Sequence, residues 1–254
     1  MESTEPVSAP TAAAATADTS APEPTVVLHW LEESRSHRIL WLLEELNVPF
    51  AIKIYSRDPH THMAGPELKK VHPRGKFPVI EDNGKVVAES GLIIEYLIAK
   101  YGKGTVFDWP KTADQEFDVK YYLHYAEGSF IATLLLLILT AGIRSLGMPF
   151  FVRPLVRLIT EKIDGAFAKP DAIEQLTFLE DRLKENGTGY FVGSALSGAD
   201  IILIFPVQLS ISLVGMTKEQ FPVLYEWMEA MENREAYKRA NKRVLETGFK
   251  GKLV

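Results

Sequence analysis

The sequence predicts two domains, an α/β domain followed by an all-helical domain. Residues 25–102 alternate short β-branched runs with helical periodicity in the order β-α-β-α-β-β-α. Strand signals end there, and apolar residues recur at helical spacing through the rest of the chain. A segment at 103–111, which contains Asp-Trp-Pro, separates the two patterns. We therefore expect domains at 25–102 and 112–254, joined by a linker at 103–111.

Composition narrows the classes of function. The net charge of −5 argues against nucleic acid, whose phosphates bind basic surfaces. The chain has no cysteine, which excludes a disulfide, a thiolate nucleophile and a thiolate metal site. Residues 1–24 are rich in Ala, Pro and Thr and predict a disordered tail without the apolar core of a secretory signal. His60 and His62 occupy a polar loop, where surface histidines are commoner than metal ligands, so no metal is expected.

The α/β domain begins with a strand, a helix and a second strand. Residues 25–31 are β-branched and apolar, which predicts a buried strand. Leucine and isoleucine recur at i, i+3, i+4 and i+7 over 39–46, typical of a helix, which Asn47 and Pro49 end. Alternation over 50–55 predicts the second strand. This order predicts a parallel pair with a right-handed crossover.

The rest of this domain is predicted as a helix, a hairpin and a closing helix. A short helix over 66–72 has proline in its first turn. Pro78 opens the third strand, and Asn83-Gly84 is a strong hairpin turn before a fourth strand at 86–88. Apolar residues at helical spacing over 89–101 predict the closing helix.

The C-terminal domain is predicted from helical periodicity. Helical segments lie at 112–146 (one helix or two abutting), 154–167, 172–185, 221–232 and 235–246. Ser197 and Asp200 have the spacing of a capping box, and the segment after them is apolar nearly all round. We therefore expect that helix in the core of the domain.

The longest apolar run, 130–143, predicts a buried core helix. At about fourteen residues it is shorter than the roughly 20 that span a bilayer. A contact with a membrane surface, assisted by Met148-Pro149-Phe150-Phe151, is the alternative.

Two motifs in the α/β domain indicate a binding site for a small peptide. Pro78 follows Phe77 at the mouth of a strand, and a cis bond there would leave the Phe77 N–H and C=O free to pair with another backbone. Glu89 and Ser90 lie where a helix begins, and a helix N-terminus attracts carboxylates. Together they predict a site for a peptide with a free α-carboxylate and a free amine.

These residues resemble the cytosolic glutathione transferase family over residues 25–248. The likeness rests on five features in order: the strand and loop ending at Ser34, Leu43-Glu44-Glu45-Leu46 before Pro49, Lys76-Phe77-Pro78-Val79, Glu89-Ser90-Gly91, and the box from Ser197 to Asp200. The resemblance implies a thioredoxin-like N-terminal domain, an all-helical C-terminal domain that forms the acceptor pocket, and a homodimer. Ser34-Arg35-Ser36 resembles fungal and bacterial members, including a branch associated with the endoplasmic reticulum. The family resemblance implies a cytoplasmic protein. Peripheral attachment to the membrane of the endoplasmic reticulum is left open.

The resemblance also implies how single residues hold glutathione. Phe77 would pair through its backbone with the cysteinyl unit, while Glu89 and Ser90 would hold the γ-glutamyl end. Lys76 can reach the glycyl carboxylate, with a solvated loop lysine as the alternative. His62 could line the same end of the site.

Activation of the thiol is assigned to Ser34, which matches the catalytic position of serine-type transferases, with Ser36 as the backup. A free thiol has a pKa near 8.5, so little is thiolate at neutral pH. A hydroxyl donor to an anion supplies about 1.5–3 kcal/mol and a helix N-terminus about 0.3–1 kcal/mol. Together these lower the pKa by about two units without a metal. A plain helix N-cap is the alternative role for Ser34.

The expected activity is transfer of the glutathione thiolate to apolar electrophiles, with reduction of organic hydroperoxides left open. Tyr122 and Tyr125 lie on the long helix that borders the acceptor pocket in this family. They are candidates for contact with the electrophile, with core packing or a dimer contact as the alternative. A non-catalytic glutathione-binding, regulatory or ligandin-like protein on the same fold is the alternative function.

Overall fold

A computed structural model describes residues 25–58 and 64–249. Within these residues, the N-terminal part has strands and helices in the predicted order. They are β1 Val26–Leu31, α1 Ser36–Leu46, β2 Phe50–Tyr55, a 3-10 helix Pro66–Lys70, β3 Val79–Asp82, β4 Lys85–Ala88 and α2 Ser90–Tyr101. The predicted elements are confirmed, although the short helix is wound as a 3-10 helix.

The strands form one mixed sheet in the order β2-β1-β3-β4. β1 and β2 are parallel, with Val26 opposite Phe50, as the order strand–helix–strand predicts. β3 runs antiparallel to β1, with His29 opposite Val79, and β4 returns antiparallel to β3. Pro78 directly precedes β3, where the amide that proline lacks is not needed for the ladder. The loop after β1 therefore lies beside the segment that enters β3.

The rest of the described chain is helical. It comprises α3 Ala113–Tyr125, α4 Ile131–Ser145, α5 Arg153–Ile163, α6 Lys169–Asn186, α7 Gly198–Val214, α8 Pro222–Glu232 and α9 Glu235–Glu246. The structure is thus a thioredoxin-like domain followed by an all-helical domain. This confirms the predicted fold class. α7 is buried, as expected, and packs against α1, α2, α3 and α4, so both domains share one hydrophobic core.

Two π-helical turns link neighbouring helices into long rods. Ala126–Phe130 joins α3 to α4, so 113–145 is one continuous helix, one of the two forms expected. Asp164–Ala168 joins α5 to α6, so the predicted break between 167 and 172 is wrong. Pro170 lies directly after the π-helical turn, where the regular i to i−4 hydrogen-bond pattern is already interrupted, and the helix continues through it.

α4 buries one side of its apolar surface and exposes the other. Leu134 and Leu137 pack inward, whereas Leu135, Ile138 and Leu139 are exposed. The prediction of a buried core helix is therefore wrong for the outward side. By length and composition alone, the continuous α3–α4 helix could cross a membrane, yet its inner side packs on α5 and α7.

Ser197 and Asp200 form a capping box at the start of α7. Ser197 Oγ accepts the Ala199 amide at 3.2 Å, and Asp200 Oδ2 accepts the Ser197 amide at 2.9 Å. Asp200 Oδ1 also accepts from the Phe191 amide and the Trp227 indole, each at 3.1 Å. One carboxylate thus ties the preceding glycine-rich turn, α7 and α8 together, and burial raises its pKa.

α1 is buried on every side, including its polar residues. Its periodicity predicts one apolar face, but α7 and α9 cover the polar face as well. There Glu44 accepts from the Nε atoms of Arg239 and Arg243 at 2.9 and 2.6 Å, and Glu45 accepts from Arg234. Sequence periodicity could not reveal this cover because these arginines lie 189 to 199 residues further along the chain.

His37 in α1 should make the protein less stable in mild acid. Its Nε2 lies 2.7 Å from Asn241 Oδ1 of α9, and burial lowers the pKa of His37 from 6.5 to about 4. The unfolded chain takes up this proton near pH 6.5 and the folded chain only near pH 4. The contribution of His37 to stability is therefore full above pH 6.5 and is lost as pH falls, by about 2 kcal/mol at pH 5.

Urea unfolding at pH 7 and pH 5 tests this dependence on His37. His37→Gln removes the titrating ring and keeps a donor toward Asn241, so it should show a smaller loss of stability between the two pH values. His124→Gln, at an exposed position of α3, should behave like the unchanged chain. An unaltered pH dependence in the His37 variant would contradict the assignment.

Candidate functional site

The loop between β1 and α1 holds a small network of serine hydroxyls. Ser34 Oγ lies 2.7 Å from the Leu31 carbonyl oxygen and 2.9 Å from Ser36 Oγ, and it accepts the Ser36 amide at 3.2 Å. Ser36 Oγ accepts the Leu31 amide at 3.4 Å. The N-cap residue of α1 is Arg35, which makes no side-chain cap. Ser34 therefore supports the first turn without being its N-cap, and its proton has two acceptors in reach.

The two serines differ in their access to ligands. Ser34 is 8% exposed and lines an open cleft of about 700 Å³, whereas Ser36 is fully buried. A molecule in the cleft can contact the hydroxyl of Ser34 and not that of Ser36. The geometry thus favours Ser34 over its backup.

Phe77 and Pro78 supply a second part of the surface. Their peptide bond is cis, and both residues are buried. The Phe77 ring packs on Tyr55 of β2, with ring centroids 5.0 Å apart. Within the described residues, the N–H and C=O of Phe77 make no backbone hydrogen bond. These two groups are therefore available to the backbone of a bound peptide.

Glu89 and Ser90 lie at the N-terminus of α2. Glu89 is exposed and has a φ of 71°, a value that costs energy for a residue other than glycine. Ser90 is 3% exposed, and its Oγ has no hydrogen-bond partner in the described part of the chain. An unpaired buried hydroxyl costs about 1–3 kcal/mol, and this one lies beside the first amides of α2. The Ser90 hydroxyl and these amides can donate to a carboxylate, and the Glu89 carboxylate can accept from an amine.

Two adjoining depressions bring most of the predicted residues together. Ser34, Lys76 and Phe77 line the larger cleft. Lys76 and Phe77 also line a smaller depression that continues to α2. The predicted residues on this joint surface are Ser34, Lys76, Phe77, Pro78, Glu89 and Ser90. His60 and His62 lie outside the described residues.

The larger cleft is more cationic than the sequence predicts. Arg57, Lys69 and Arg74 line it together with Lys76. These cations come from separate segments, and the run Arg74-Gly75-Lys76 beside Phe77 was the signal that could have revealed two of them. Clustered positive charge favours an anionic ligand and stabilises a thiolate.

A buried ion pair joins α1 to the π-helical turn after α3. The guanidinium of Arg38 is fully buried, contacts Glu127 and donates to the Ile202 carbonyl at 2.6 Å. Arg35 donates to the second carboxylate oxygen of Glu127. Burial acts to raise the pKa of Glu127, but the two arginines hold it below its ordinary value. Glu127 lines a further cleft of about 500 Å³ that begins at Glu89, so the pair adjoins the predicted binding surface.

Tyr122 and Tyr125 lie away from this surface. Tyr122 packs on Phe191 and Tyr125 on Phe178, with ring centroids 5.3 and 5.4 Å apart. Burial raises the pKa of both hydroxyls. Neither tyrosine lines the clefts that hold the predicted binding residues. Tyr122 instead lines a separate cleft of about 510 Å³ with Phe178, so the contact of either tyrosine with an acceptor stays a prediction beside the alternative of core packing.

In residues 25–58 and 64–249, no group of His, Cys, Asp or Glu side chains could hold a metal ion. A site that works without metal stays a prediction. The surface presents four kinds of group to a ligand. They are a hydroxyl donor, free backbone groups, a helix N-terminus that can accept a carboxylate, and several cations.

Comparisons with known proteins show the family to which this chain belongs. The model of the glutathione S-transferase N-terminal domain matches residues 34–100, and that of the glutathione S-transferase C-terminal domain matches residues 137–235. Glutathione S-transferase 1 of Saccharomyces cerevisiae is 35% identical over 220 residues, which cover 84% of this chain and 93% of the relative.

Solved structures share the fold. A crystal structure of a glutathione S-transferase from Actinobacillus pleuropneumoniae is 30% identical with a TM-score of 0.71, and the match covers 90% of this chain and 94% of that one. The nitrogen regulation fragment of the yeast prion protein Ure2p has a TM-score of 0.68 at 18% identity, covering 89% of this chain and 99% of that one. At that identity the likeness concerns the fold alone.

Proposed function

Because the chain belongs to the glutathione S-transferase family, we propose that it binds glutathione across the Ser34, Phe77 and Ser90 surface and transfers its thiolate to apolar electrophiles. The observation that carries this proposal is the buried Ser90 hydroxyl, which has no partner among the residues that the structure describes and lies beside the first amides of α2. Reduction of organic hydroperoxides uses the same thiolate and belongs to the proposal, as does a role in detoxification.

The tripeptide is proposed to lie extended between α2 and the cationic cleft. Its γ-glutamyl carboxylate accepts from Ser90 Oγ and the α2 amides, while its amine pairs with Glu89. Its cysteinyl unit pairs with the Phe77 backbone, next to the cis bond. Its glycyl carboxylate lies near Lys76, where Arg74 adds a second cation.

Activation of the thiol is proposed to be of the serine type. The Ser36 amide donates to Ser34 Oγ, which polarises the hydroxyl. When the thiolate is present, the Ser34 proton turns from the Leu31 carbonyl to sulfur and so exchanges a neutral acceptor for a charged one. A decrease of two units in the thiol pKa requires about 2.7 kcal/mol. The hydroxyl, the helix end and the nearby cations together supply that amount.

Glu89→Ala should weaken glutathione binding before it affects chemistry. It removes the carboxylate proposed to pair with the ligand amine, so the Kd should rise by about tenfold, since a charge-assisted hydrogen bond contributes about 1.5–3 kcal/mol. Calorimetric titration with glutathione measures this effect. Glu174→Ala, at an exposed carboxylate of α6, is the matched control and should bind normally. Unchanged affinity in the Glu89 variant would move the γ-glutamyl site elsewhere.

The proposed function is tested by a pH titration of thiolate absorbance for glutathione bound to the purified protein. We expect a thiol pKa well below 8.5, together with conjugation of an aryl halide or turnover of an organic hydroperoxide. Bound glutathione with an unshifted pKa and no turnover of either kind would reject the enzyme.

A non-catalytic glutathione-binding, regulatory or ligandin-like protein is the second candidate. It is kept as an alternative because a nitrogen regulation fragment has the same fold, a likeness that concerns the fold and not the role. It differs from the first in the thiol pKa, because a binding protein has no need to ionise the thiol. We also propose a homodimer in the cytoplasm, as the family resemblance implies, which light scattering and cell fractionation would test.

A further inference from the structure

The turn between α4 and α5 forms an exposed apolar apex. Leu146, Phe150, Phe151 and Leu155 are 60%, 81%, 71% and 59% exposed, and we call these four residues the apex. The two phenylalanine rings contact each other edge to face, with centroids 5.6 Å apart. Large apolar side chains that are grouped and exposed in this way mark an interaction surface.

Exposed apolar residues continue along both helices from the apex. On α4 they are Leu135, Ile138 and Leu139, spaced to lie on one side of the helix. On α5 they are Leu158 and Ile159. The apolar surface therefore lies on both arms of the helical hairpin as well as at its tip. A fluid lipid layer can contact the apex and both helices at the same time. The flat face of a partner protein would cover only one of the two helices.

A cleft beside the apex is lined by three arginines, Arg144, Arg153 and Arg157. The arginines surround a volume of about 420 Å³, and the rest of the lining is Met148, Val156 and one carboxylate, Glu161. Guanidinium groups bind phosphate oxygens in bidentate fashion, and the apolar members of the lining suit the first methylene groups of a lipid acyl chain. Positive charge next to exposed aromatic side chains is the pattern of a membrane-surface helix.

The charge of this hairpin is opposite to that of the chain. Residues 131–163 contain four cationic side chains and one anionic, a net charge of +3, whereas the whole chain carries −5. Two of the cleft arginines pair with carboxylates. Arg153 instead donates to the Met148 carbonyl at 2.9 Å and has no carboxylate partner within the described residues. The hairpin is thus complementary to an anionic surface.

We propose that the tip of the α4–α5 hairpin docks this protein on a membrane that contains anionic phospholipids. The apex enters the boundary between headgroups and acyl chains, and the arginines of the cleft bind lipid phosphates. A second copy of the chain fits this surface less well. A two-fold contact would bring the same cationic residues of both tips together.

Co-sedimentation with vesicles tests the docking. The protein should sediment with phosphatidylcholine vesicles containing about 30% phosphatidylserine and far less with phosphatidylcholine alone, and added salt should weaken binding. Replacing Phe150→Ser and Phe151→Ser together should lower binding by about tenfold or more. Replacing Arg153→Gln and Arg157→Gln should lower binding to the anionic vesicles by about tenfold. Phe117→Ser, at a position 69% exposed on α3, should bind like the unchanged chain.

A fluorescent label gives a second readout because the chain has no cysteine. An environment-sensitive dye attached after Phe151→Cys should shift to the blue when anionic vesicles are added, while the same dye after Phe117→Cys should not. Absence of vesicle binding by the unchanged protein, or full binding by the double phenylalanine variant, overturns the proposal. Loss of a dimer in that variant, without vesicle binding by the unchanged protein, assigns the apex to a second copy and also overturns it.

Discussion

Replacement of Glu127 by alanine should lower the free energy of unfolding by about 3 kcal/mol. Removing one partner of a buried ion pair costs about 3–5 kcal/mol, because the remaining charge is left uncompensated. The Arg38 side chain is fully buried, while that of Glu127 is 24% exposed, which places the effect at the low end. Urea unfolding at neutral pH measures it.

Further variants separate the charge of this pair from its shape. Glu127→Gln keeps the size of the side chain but should lose most of the same stability. Arg38→Met combined with Glu127→Leu should recover part of the loss, because no buried charge then remains. Glu174→Ala, at an exposed position, should change stability by less than about 0.5 kcal/mol. A loss in Glu127→Ala no larger than this would show that the pair does not stabilise the domain contact.

Ser34→Ala should raise the pKa of the bound glutathione thiol and slow conjugation by about 10–100-fold, which corresponds to about 1.4–2.8 kcal/mol. Ser34 is the serine of its loop that lines the cleft, and without its hydroxyl the thiolate loses its nearest donor. The thiolate titration and kcat/KM with an aryl halide measure the two effects together. They should move in parallel, since the rate depends on the thiolate fraction.

Two neighbouring changes serve as controls for Ser34. Ser34→Thr keeps a hydroxyl and should retain much of the activity. Ser36→Ala removes a buried hydroxyl that accepts the Leu31 amide, so it should affect stability more than the thiol pKa. A wild-type rate in Ser34→Ala would limit Ser34 to supporting the first turn of α1.

The parts of the site that could be predicted are those whose chemistry lies in consecutive residues. Phe77-Pro78 and Glu89-Ser90 each carry their proposed role within a dipeptide. The pairing of Arg38 with Glu127 could not be predicted because 89 residues separate them. The contact of Tyr122 or Tyr125 with an acceptor stays a prediction, because the sequence does not show which distant segments enclose the acceptor.

The strands and most helix ends follow in the same way from patterns within a few residues, such as the alternation in β2. The π-helical turn Ala126–Phe130 carries no such pattern, and neither does the burial of the polar side of α1. Helical spacing identifies which residues share a face, but it does not identify which helix that face will meet. That information resides in the packing of distant segments.

The contacts between α1 and α9 limit how such a chain can be recombined during evolution. Glu44 and Glu45 belong to the N-terminal domain, and the arginines that neutralise them belong to the C-terminal end of the other domain. A crossover that brought in a foreign C-terminal half without those arginines would leave two nearly buried carboxylates unpaired. We therefore expect the two halves to be inherited as a matched set, although each has its own recognisable architecture. Chimeras between relatives should fold stably only when α1 and the C-terminal segment that carries these arginines come from the same parent.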